Sequence, residues 1–244
     1  EDVSIILTGE LDEWSDVVEA GMLAATPYST THVVNDISLK GAQPEQMHMP
    51  SVRDDALEGA HPDILIIGGG ISGCSIAREL TRYKLSVLVL EKEADLALGA
   101  SGRNDGEVHP GVDLSKGTLK HKYIRRANHM YEDLCRDLDV PFKRLGQYAC
   151  FTHKSWLPFV WVYSKWRKYV DGIEDTRIAM GSEIRKKEPE ISPEVAFALS
   201  NPSSGSVSPY NLVIAYAENA VDNGAKISLN TAVTGMDVED GVIK

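Results

Sequence analysis

The strongest constraint on this chain is a glycine run set between two unlike segments. Asp63–Ile67 (DILII) is a nearly continuous apolar run, the pattern of a strand buried on both faces. Gly68-Gly69-Gly70-Ile71-Ser72-Gly73 follows at once, and then a helical repeat with Cys74, Ala77 and Leu80 facing inward. Ser86–Leu90 (SVLVL) is a second buried strand, ending in Glu91. Each glycine has a physical reason. Gly68 permits the tight turn, Gly70 lets backbone approach a ligand, and Gly73 lets the helix pack close to the strand. Ile71 and Ser72 open that helix, whose first turn offers free N–H groups and a partial positive charge.

This strand–turn–helix–strand order predicts an α/β, Rossmann-type dinucleotide-binding unit. Glu91, at the tip of the second strand, is placed to accept hydrogen bonds from ribose hydroxyls, with Lys92 beside it. The same carboxylate disfavours a 2′-phosphate, since two negative charges would meet there. A glycine-rich turn that binds nothing is the bland alternative, and the second strand with its acidic tip argues against it. The glycines alone do not separate NAD from FAD.

With 244 residues, 43% of them hydrophobic, the chain has room for one large domain, or for one medium and one small. The net charge of -11 opposes binding to polyanions, so no nucleic-acid partner is expected. Two basic clusters, Lys116 to Arg126 and Arg185 to Lys187, run against that balance. They read as solvated helix faces, with a local site for an anionic substrate as the alternative. The three cysteines, Cys74, Cys135 and Cys150, form no CxxC, which suggests neither a disulfide framework nor a zinc site and fits a cytoplasmic setting. No signal peptide and no apolar run of about 18 residues is visible. The first residue is Glu rather than Met, so targeting stays open.

Ahead of the dinucleotide unit, residues 1–41 read as β-α-β: Val3–Leu7, a helix within Asp12–Ala25, and Thr31–Leu39. The words LTGELDEW and VVNDISLKG resemble the BON module, which implies a binding or docking role; a nameless α/β appendage is the alternative. Residues 42–62, with Pro44, Pro50 and Pro62, read as a linker.

The stretch after the second strand, Gly99 to Gly111, resembles the loop of the D-amino-acid-oxidase-like FAD-dependent oxidoreductases. Its branch of glycerol-3-phosphate dehydrogenases and L-2-hydroxyglutarate oxidases carries a Ser-x-x-Asn-Ser-Gly-x-x-His-x-Gly pattern. Here it reads Ser101, Arg103, Asn104, Asp105, Gly106, His109 and Gly111. Asp105 departs from the usual small hydroxyl residue, placing a carboxylate near the expected pyrophosphate or flavin; it points away or bonds a ribityl hydroxyl. Pro110, between His109 and Gly111, is a second departure. The resemblance continues through RLGQYACF (144–151), EPEISPEVAFAL and Gly205–Met236, and covers roughly residues 61–244. It implies FAD as cofactor and an FAD-binding domain over 63–244, with the start of a mixed-sheet substrate domain inserted at about 145–207. Within it Ser208 is a candidate N-cap, Pro209 fits the first helical turn and Gly224 ends the helix. Lys226–Leu229 is expected as a strand, Thr231–Val238 as a segment returning to the sheet, and Val233 as the backbone beside the adenine. The resemblance further implies a longer chain carrying the rest of the substrate domain and a late glycine motif over the flavin. The sequence therefore reads as a fragment or as one part of an assembly.

The resemblance implies hydride transfer from a carbon bearing OH or NH to the flavin. His109 is the titratable candidate at the flavin edge, as base or substrate contact, or as a structural anchor of its loop. Tyr210 is a candidate substrate contact or a helix-start packing residue. Arg103 is a candidate for neutralising a pyrophosphate or a substrate carboxylate, or a surface ion pair. Cys74 lies in the first turn of the phosphate-binding helix, where a thiolate would be favoured, yet reads better as a small apolar residue. His61, His121, His129 and His153 show no metal-ligand spacing. Ser155–Val170 holds three of the four tryptophans and reads as a core or domain-contact helix, with a membrane-surface helix as the alternative. The leading expectation is an FAD-dependent dehydrogenase or oxidase for a 2-hydroxy acid or glycerol 3-phosphate. An NAD-dependent enzyme and a non-catalytic flavin-binding or scaffold subunit are the alternatives, and a partner subunit or electron acceptor is left open.

Overall fold

A computed structural model describes residues 3–27, 30–41, 49–51, 54–173, 175–239 and 242–243. The chain divides into two compact units, Glu1–His48 and Met49–Lys244. The division falls inside the expected linker, of which 42–48 and 52–53 lie outside the described residues.

The first unit is a β-α-β element. Strand β1 (Val3–Leu11) runs past the apolar run that suggested it, helix α1 spans Trp14–Ala25, and β2 spans Thr30–Leu39. The strands pair in parallel, with Ile5 opposite Val33 and Leu11 opposite Leu39. Val17 of α1 is buried, and its carbonyl accepts a hydrogen bond from Asn35 Nδ2 at 2.7 Å.

The second unit opens with β3 (Ile64–Ile67), α2 (Ile71–Leu80) and β4 (Val87–Leu90). At the base of the strands Asp63 and Ser86 clamp each other: the Ser86 N–H and hydroxyl donate to Asp63 Oδ2, and the Asp63 N–H donates to Ser86 Oγ. Next come β5 (Glu107–Val108), the long helix α3 (Leu119–Asp137), β6 (Phe142–Lys143) and β7 (Gln147–Phe151). A single 3-10 turn, Lys154–Trp156, leads into α4 (Leu157–Tyr169). Then follow β8 (Arg177–Met180), α5 (Gly181–Lys187), β9 (Phe197–Asn201) and β10 (Gly205–Val207). The unit closes with α6 (Pro209–Asp222), β11 (Lys226–Ser228) and the hairpin strands β12 (Val238–Glu239) and β13 (Val242–Ile243).

Three sheets organise this unit. The parallel sheet has the order β11-β4-β3. Ile64, Ile66, Val87, Val89 and Ile227 pack with Ala77 of α2 and Ala220 of α6. Because side chains alternate along a strand, Leu65 and Ile67 point to the opposite face, where they are exposed. A small antiparallel sheet, β5-β10-β6, packs through Val108, Val207 and Phe142 against α3 and α6. The third sheet, β7-β9-β8, is antiparallel and is the described part of the expected substrate domain. Its central strand is fully buried, with Phe197 stacked on Phe151 at 5.0 Å and in the same core as Val160 of α4.

Helix ends follow the local chemistry. Ser208 caps α6 by accepting from the Asn211 N–H at 3.3 Å, Pro209 opens the helix, and Gly224 leaves it at φ +100°. Thr118 caps α3 in the same way, accepting from His121. One expectation is corrected. Residues 231–237 are open chain, not a strand of the parallel sheet. Asn230 adopts φ +52°, and the Thr231 N–H turns to the Glu91 carbonyl at 2.8 Å, so the chain folds over the end of β4 instead of lying alongside it.

Candidate functional site

The glycine turn is built as its spacing demands. Gly68 sits at φ +103°, and its N–H donates to the Leu90 carbonyl at 2.8 Å. A β-carbon on Gly73 would strike the Gly68 carbonyl, and one on Gly70 would lie 2.8 Å from Ser101 Oγ. Gly69 is equally constrained, since a β-carbon there would collide with the Leu96 side chain. Sequence reasoning passed over Gly69; its place in the glycine triplet was the available signal.

At the start of α2 the Ile71 N–H donates to Ser101 Oγ at 3.0 Å. Ser72 and Gly73 keep first-turn N–H groups that helix geometry leaves without intrahelical acceptors. Cys74 is fully buried, and burial, with the Glu91 charge a lesser cause, pushes its thiol up to about 11. It is a packing residue in the core with Val213 and Ala217.

Glu91 folds back over the turn. The Gly69 N–H donates to Oε2 at 2.6 Å and the Glu93 N–H to Oε1 at 2.9 Å. Each carboxylate oxygen retains further acceptor capacity. A cavity of about 480 Å3 opens here, walled by Gly70, Glu91, Lys92, Glu93, Ser101 and Arg103. A second, of about 150 Å3, is lined by Ile71, Ser101, Asn104, Gly106, Tyr131 and Leu212. Ser101 belongs to both walls.

Asn104 staples the intervening loop. Its Nδ2 donates to the carbonyls of Ala100 and Ser101 at 3.1 and 3.0 Å, and its Oδ1 accepts from the Gly106 N–H at 3.0 Å. Asp105 is exposed and accepts from the Glu107 N–H at 3.2 Å. Gly106 sits at φ +68°, where a β-carbon would also strike the Val207 carbonyl. His109 lies just past β5 with its side chain 44% exposed, and its Nδ1 is 3.5 Å from Glu107 Oε1. The same Glu107 oxygen accepts from Ser204 Oγ at 2.9 Å.

His109, Tyr210 and Val233 are in the wall of neither cavity. The Tyr210 hydroxyl donates to Asp95 Oδ2 at 2.6 Å, fastening the start of α6 to the loop after β4. That bond holds Asp95 below its ordinary value and raises Tyr210. Val233 is half-buried in the open chain after Thr231.

Two supporting groups escaped sequence reasoning. Asn128, buried mid-helix in α3, has its Nδ2 within 3.0–3.2 Å of the carbonyls of Val108, His109 and Ser203. Its Oδ1 accepts from Arg144 Nη1 at 3.0 Å, and Arg144 also donates to the Ser203 and Asn128 carbonyls. The only sequence signal was an asparagine inside a helix, where its propensity is poor. Arg167, buried in α4, pairs with Asp171 at 2.6 Å and donates to the carbonyls of Gly111 and Leu114. Both networks hold the backbone on either side of His109.

The cradle fits an adenine dinucleotide: a turn that admits no side chain, a helix N-terminus, and an acidic strand tip around one cavity. Among the described residues no cluster of metal-ligating side chains occurs, and no helix is long and apolar enough to cross a membrane.

The model of the DAO family, FAD dependent oxidoreductase, matches residues 63–244. The chain is 36% identical over 179 residues to a glycerol 3-phosphate dehydrogenase of Caloramator mitchellensis, covering 73% of this chain and 37% of that protein. It is 31% identical to a mitochondrial L-2-hydroxyglutarate dehydrogenase of Nematostella vectensis, over 71% of this chain and 38% of that one. Among solved structures it resembles the dithionite-reduced, FAD-bound L-alpha-glycerophosphate oxidase of Mycoplasma pneumoniae, with a TM-score of 0.64 and 28% identity. That likeness covers 72% of this chain and 46% of the other. The chain thus spans less than half the length of these relatives.

Proposed function

The chain belongs to the DAO family of FAD-dependent oxidoreductases, and on that premise we propose that it is the dinucleotide-binding part of a flavin-dependent dehydrogenase or oxidase. The substrate is a small polar molecule, either a 2-hydroxy acid or glycerol 3-phosphate, the classes named for its relatives. The observation that carries this is Ser101. Its hydroxyl sits on the first N–H of α2, and its loop walls both cavities. A glycine turn closed over empty space would not need a polar loop laid along it.

FAD, when bound, supplies the acceptor for a hydride from the substrate carbon. The chain's own residues bind and orient. Gly68 and Gly70 admit the pyrophosphate against bare backbone; Ser72 and Gly73 present the free N–H groups of the α2 N-terminus to it, and Ser101, held by the Ile71 N–H, adds its hydroxyl. Glu91 accepts from ribose hydroxyls with its remaining lone pairs. Lys92 and Arg103 offset phosphate charge at the rim of the larger cavity. Asn104 and Gly106 fix the loop's path. Asp105, exposed and engaged with Glu107, keeps its charge out of the cradle. The backbone near Val233 meets the adenine. His109, with Nδ1 toward Glu107, accepts the substrate hydroxyl proton at Nε2.

The test is the visible absorption spectrum of the intact protein, followed by anaerobic addition of glycerol 3-phosphate or L-2-hydroxyglutarate. The expected result is an oxidised-flavin spectrum bleached by one of the two. A protein that stays colourless after reconstitution with FAD overturns the proposal.

A further inference from the structure

Helix α4 buries a serine and an arginine beside Val160 and leaves most of its aromatic side chains exposed. Its buried positions are Val160, Ser164 and Arg167. Its exposed ones include Phe159 (69%), Trp166 (59%) and Tyr169 (73%), and Trp156 (55%) in the turn just before it is exposed as well. A helix on the surface of a soluble domain shows the reverse arrangement, with apolar residues inward and polar ones outward. Exposed apolar surface on this scale marks a contact.

The charges on the same face indicate what it contacts. Lys154 and Lys165 are exposed and Lys168 is half-buried. The ammonium groups rest on the rings: Lys165 Nζ lies 5.6 Å from the Trp161 centroid, and Lys168 Nζ lies 5.8 Å from that of Tyr169. Neither Asp nor Glu occurs between 152 and 170. The end of α4 adjoins the start of α3, where Lys116 Nζ donates to the Val170 carbonyl and Arg125 to that of Gly172. There Leu119 (69%) and Tyr123 (56%) stand exposed beside Lys120 and Lys122, and no acidic residue occurs between 114 and 131. Two adjoining acid-free, aromatic and lysine-rich segments thus belong to a chain of net charge -11.

Protein–protein contacts are depleted in lysine at their centres. Helices that lie in a membrane interface combine Trp and Phe with lysines whose charged ends reach back to the headgroups. We propose that α4, with the first turns of α3, docks on an anionic phospholipid surface. The lysines meet headgroup phosphates, and Trp156, Phe159 and Trp166 enter the boundary between headgroups and acyl chains.

The test is co-sedimentation of the intact, FAD-loaded protein with vesicles of mixed phosphatidylglycerol and phosphatidylcholine, and with vesicles of phosphatidylcholine alone. Binding is expected to the anionic vesicles only. Lys165→Glu/Lys168→Glu should weaken it by about thirtyfold or more, since each lysine at an anionic surface contributes roughly a fivefold gain. Phe159→Ser/Trp166→Ser should abolish sedimentation, and neither pair should alter the flavin spectrum. No sedimentation, equal binding to neutral vesicles, or unchanged binding by both variants overturns the proposal. So does a dimer in size-exclusion chromatography that Phe159→Ser/Trp166→Ser converts to monomer, which assigns the face to a second copy.

Discussion

Replacing Asn128 with Leu removes one side chain that serves three backbone segments. Its amide carries two protons and faces the carbonyls of Val108, His109 and Ser203, while its oxygen accepts from Arg144. At most two donated bonds and one accepted bond are therefore lost together. A net hydrogen bond contributes about 1 kcal/mol, and a buried group left unpaired costs about 1–3 kcal/mol. Leucine is close in size and recovers part of this by apolar burial, so a net loss of about 3 kcal/mol is expected. With a urea dependence of roughly 1–3 kcal/mol per molar, the unfolding midpoint of the intact protein should fall by about 1–3 M. Asn128 lies outside both cavity walls, so FAD affinity should stay within about threefold while kcat drops, because the His109 carbonyl has lost its anchor. Asn128 would be a positioning residue, and the split between kcat and cofactor affinity is the diagnostic. A midpoint shift below about 0.3 M, or loss of FAD affinity in parallel with kcat, refutes the reasoning.

Four further outcomes are expected. Glu91→Gln keeps the shape but exchanges charge-assisted bonds for neutral ones, and should raise the FAD dissociation constant by about 5–30-fold in a flavin titration; an unchanged constant removes Glu91 from the cofactor site. His109→Asn should leave the flavin spectrum intact and lower kcat by about 10²–10⁴-fold; activity within threefold of the parent makes His109 structural. Asp95 is held below its ordinary 3.8 by the Tyr210 hydroxyl first and the Leu96 N–H second, so this contact stabilises the fold above that value and is lost as pH falls through the lower, folded one. The stability advantage of the parent over Tyr210→Phe should accordingly shrink between about pH 5 and pH 2; a constant gap contradicts the assigned bond. With its thiol at about 11 and fully buried, Cys74 should resist iodoacetamide near pH ~8 while exposed Cys150 is labelled; equal rates on peptide mapping contradict this.

Much of the cradle was legible because its rules are local. The order strand, glycines, helix, strand fixes the turn within a few residues, and capping at Ser208 and Gly224 is decided by neighbours along the chain. What was illegible depends on partners distant in sequence. Asn128 reads as one polar residue on a polar helix until Ser203 is brought beside it. Tyr210 reads as a substrate contact or as helix-start packing, and nothing along the chain shows that its hydroxyl meets Asp95, far upstream. Arg167 looks like one more cation in a basic helix, yet it is buried with Asp171 under the loop that follows His109. The open chain at 231–237 misled for a related reason. The family resemblance implies a segment returning to the sheet there, but a left-handed residue at Asn230 and a backbone bond to the end of β4 direct it elsewhere.

The parallel sheet stops at β3, whose second edge pairs with no strand among the described residues and whose Leu65 and Ile67 lie open to solvent. An unpaired edge of this kind, long on β-branched and aliphatic side chains, is a template for adding a strand. Until something completes it, the sheet is a hazard during synthesis and refolding, because any extended apolar segment of matching length competes for the vacancy. The glycine turn of the dinucleotide cradle therefore begins directly after an aggregation-prone edge. A lysine substituted at Leu65, on the open face, is the smallest change that would separate the two.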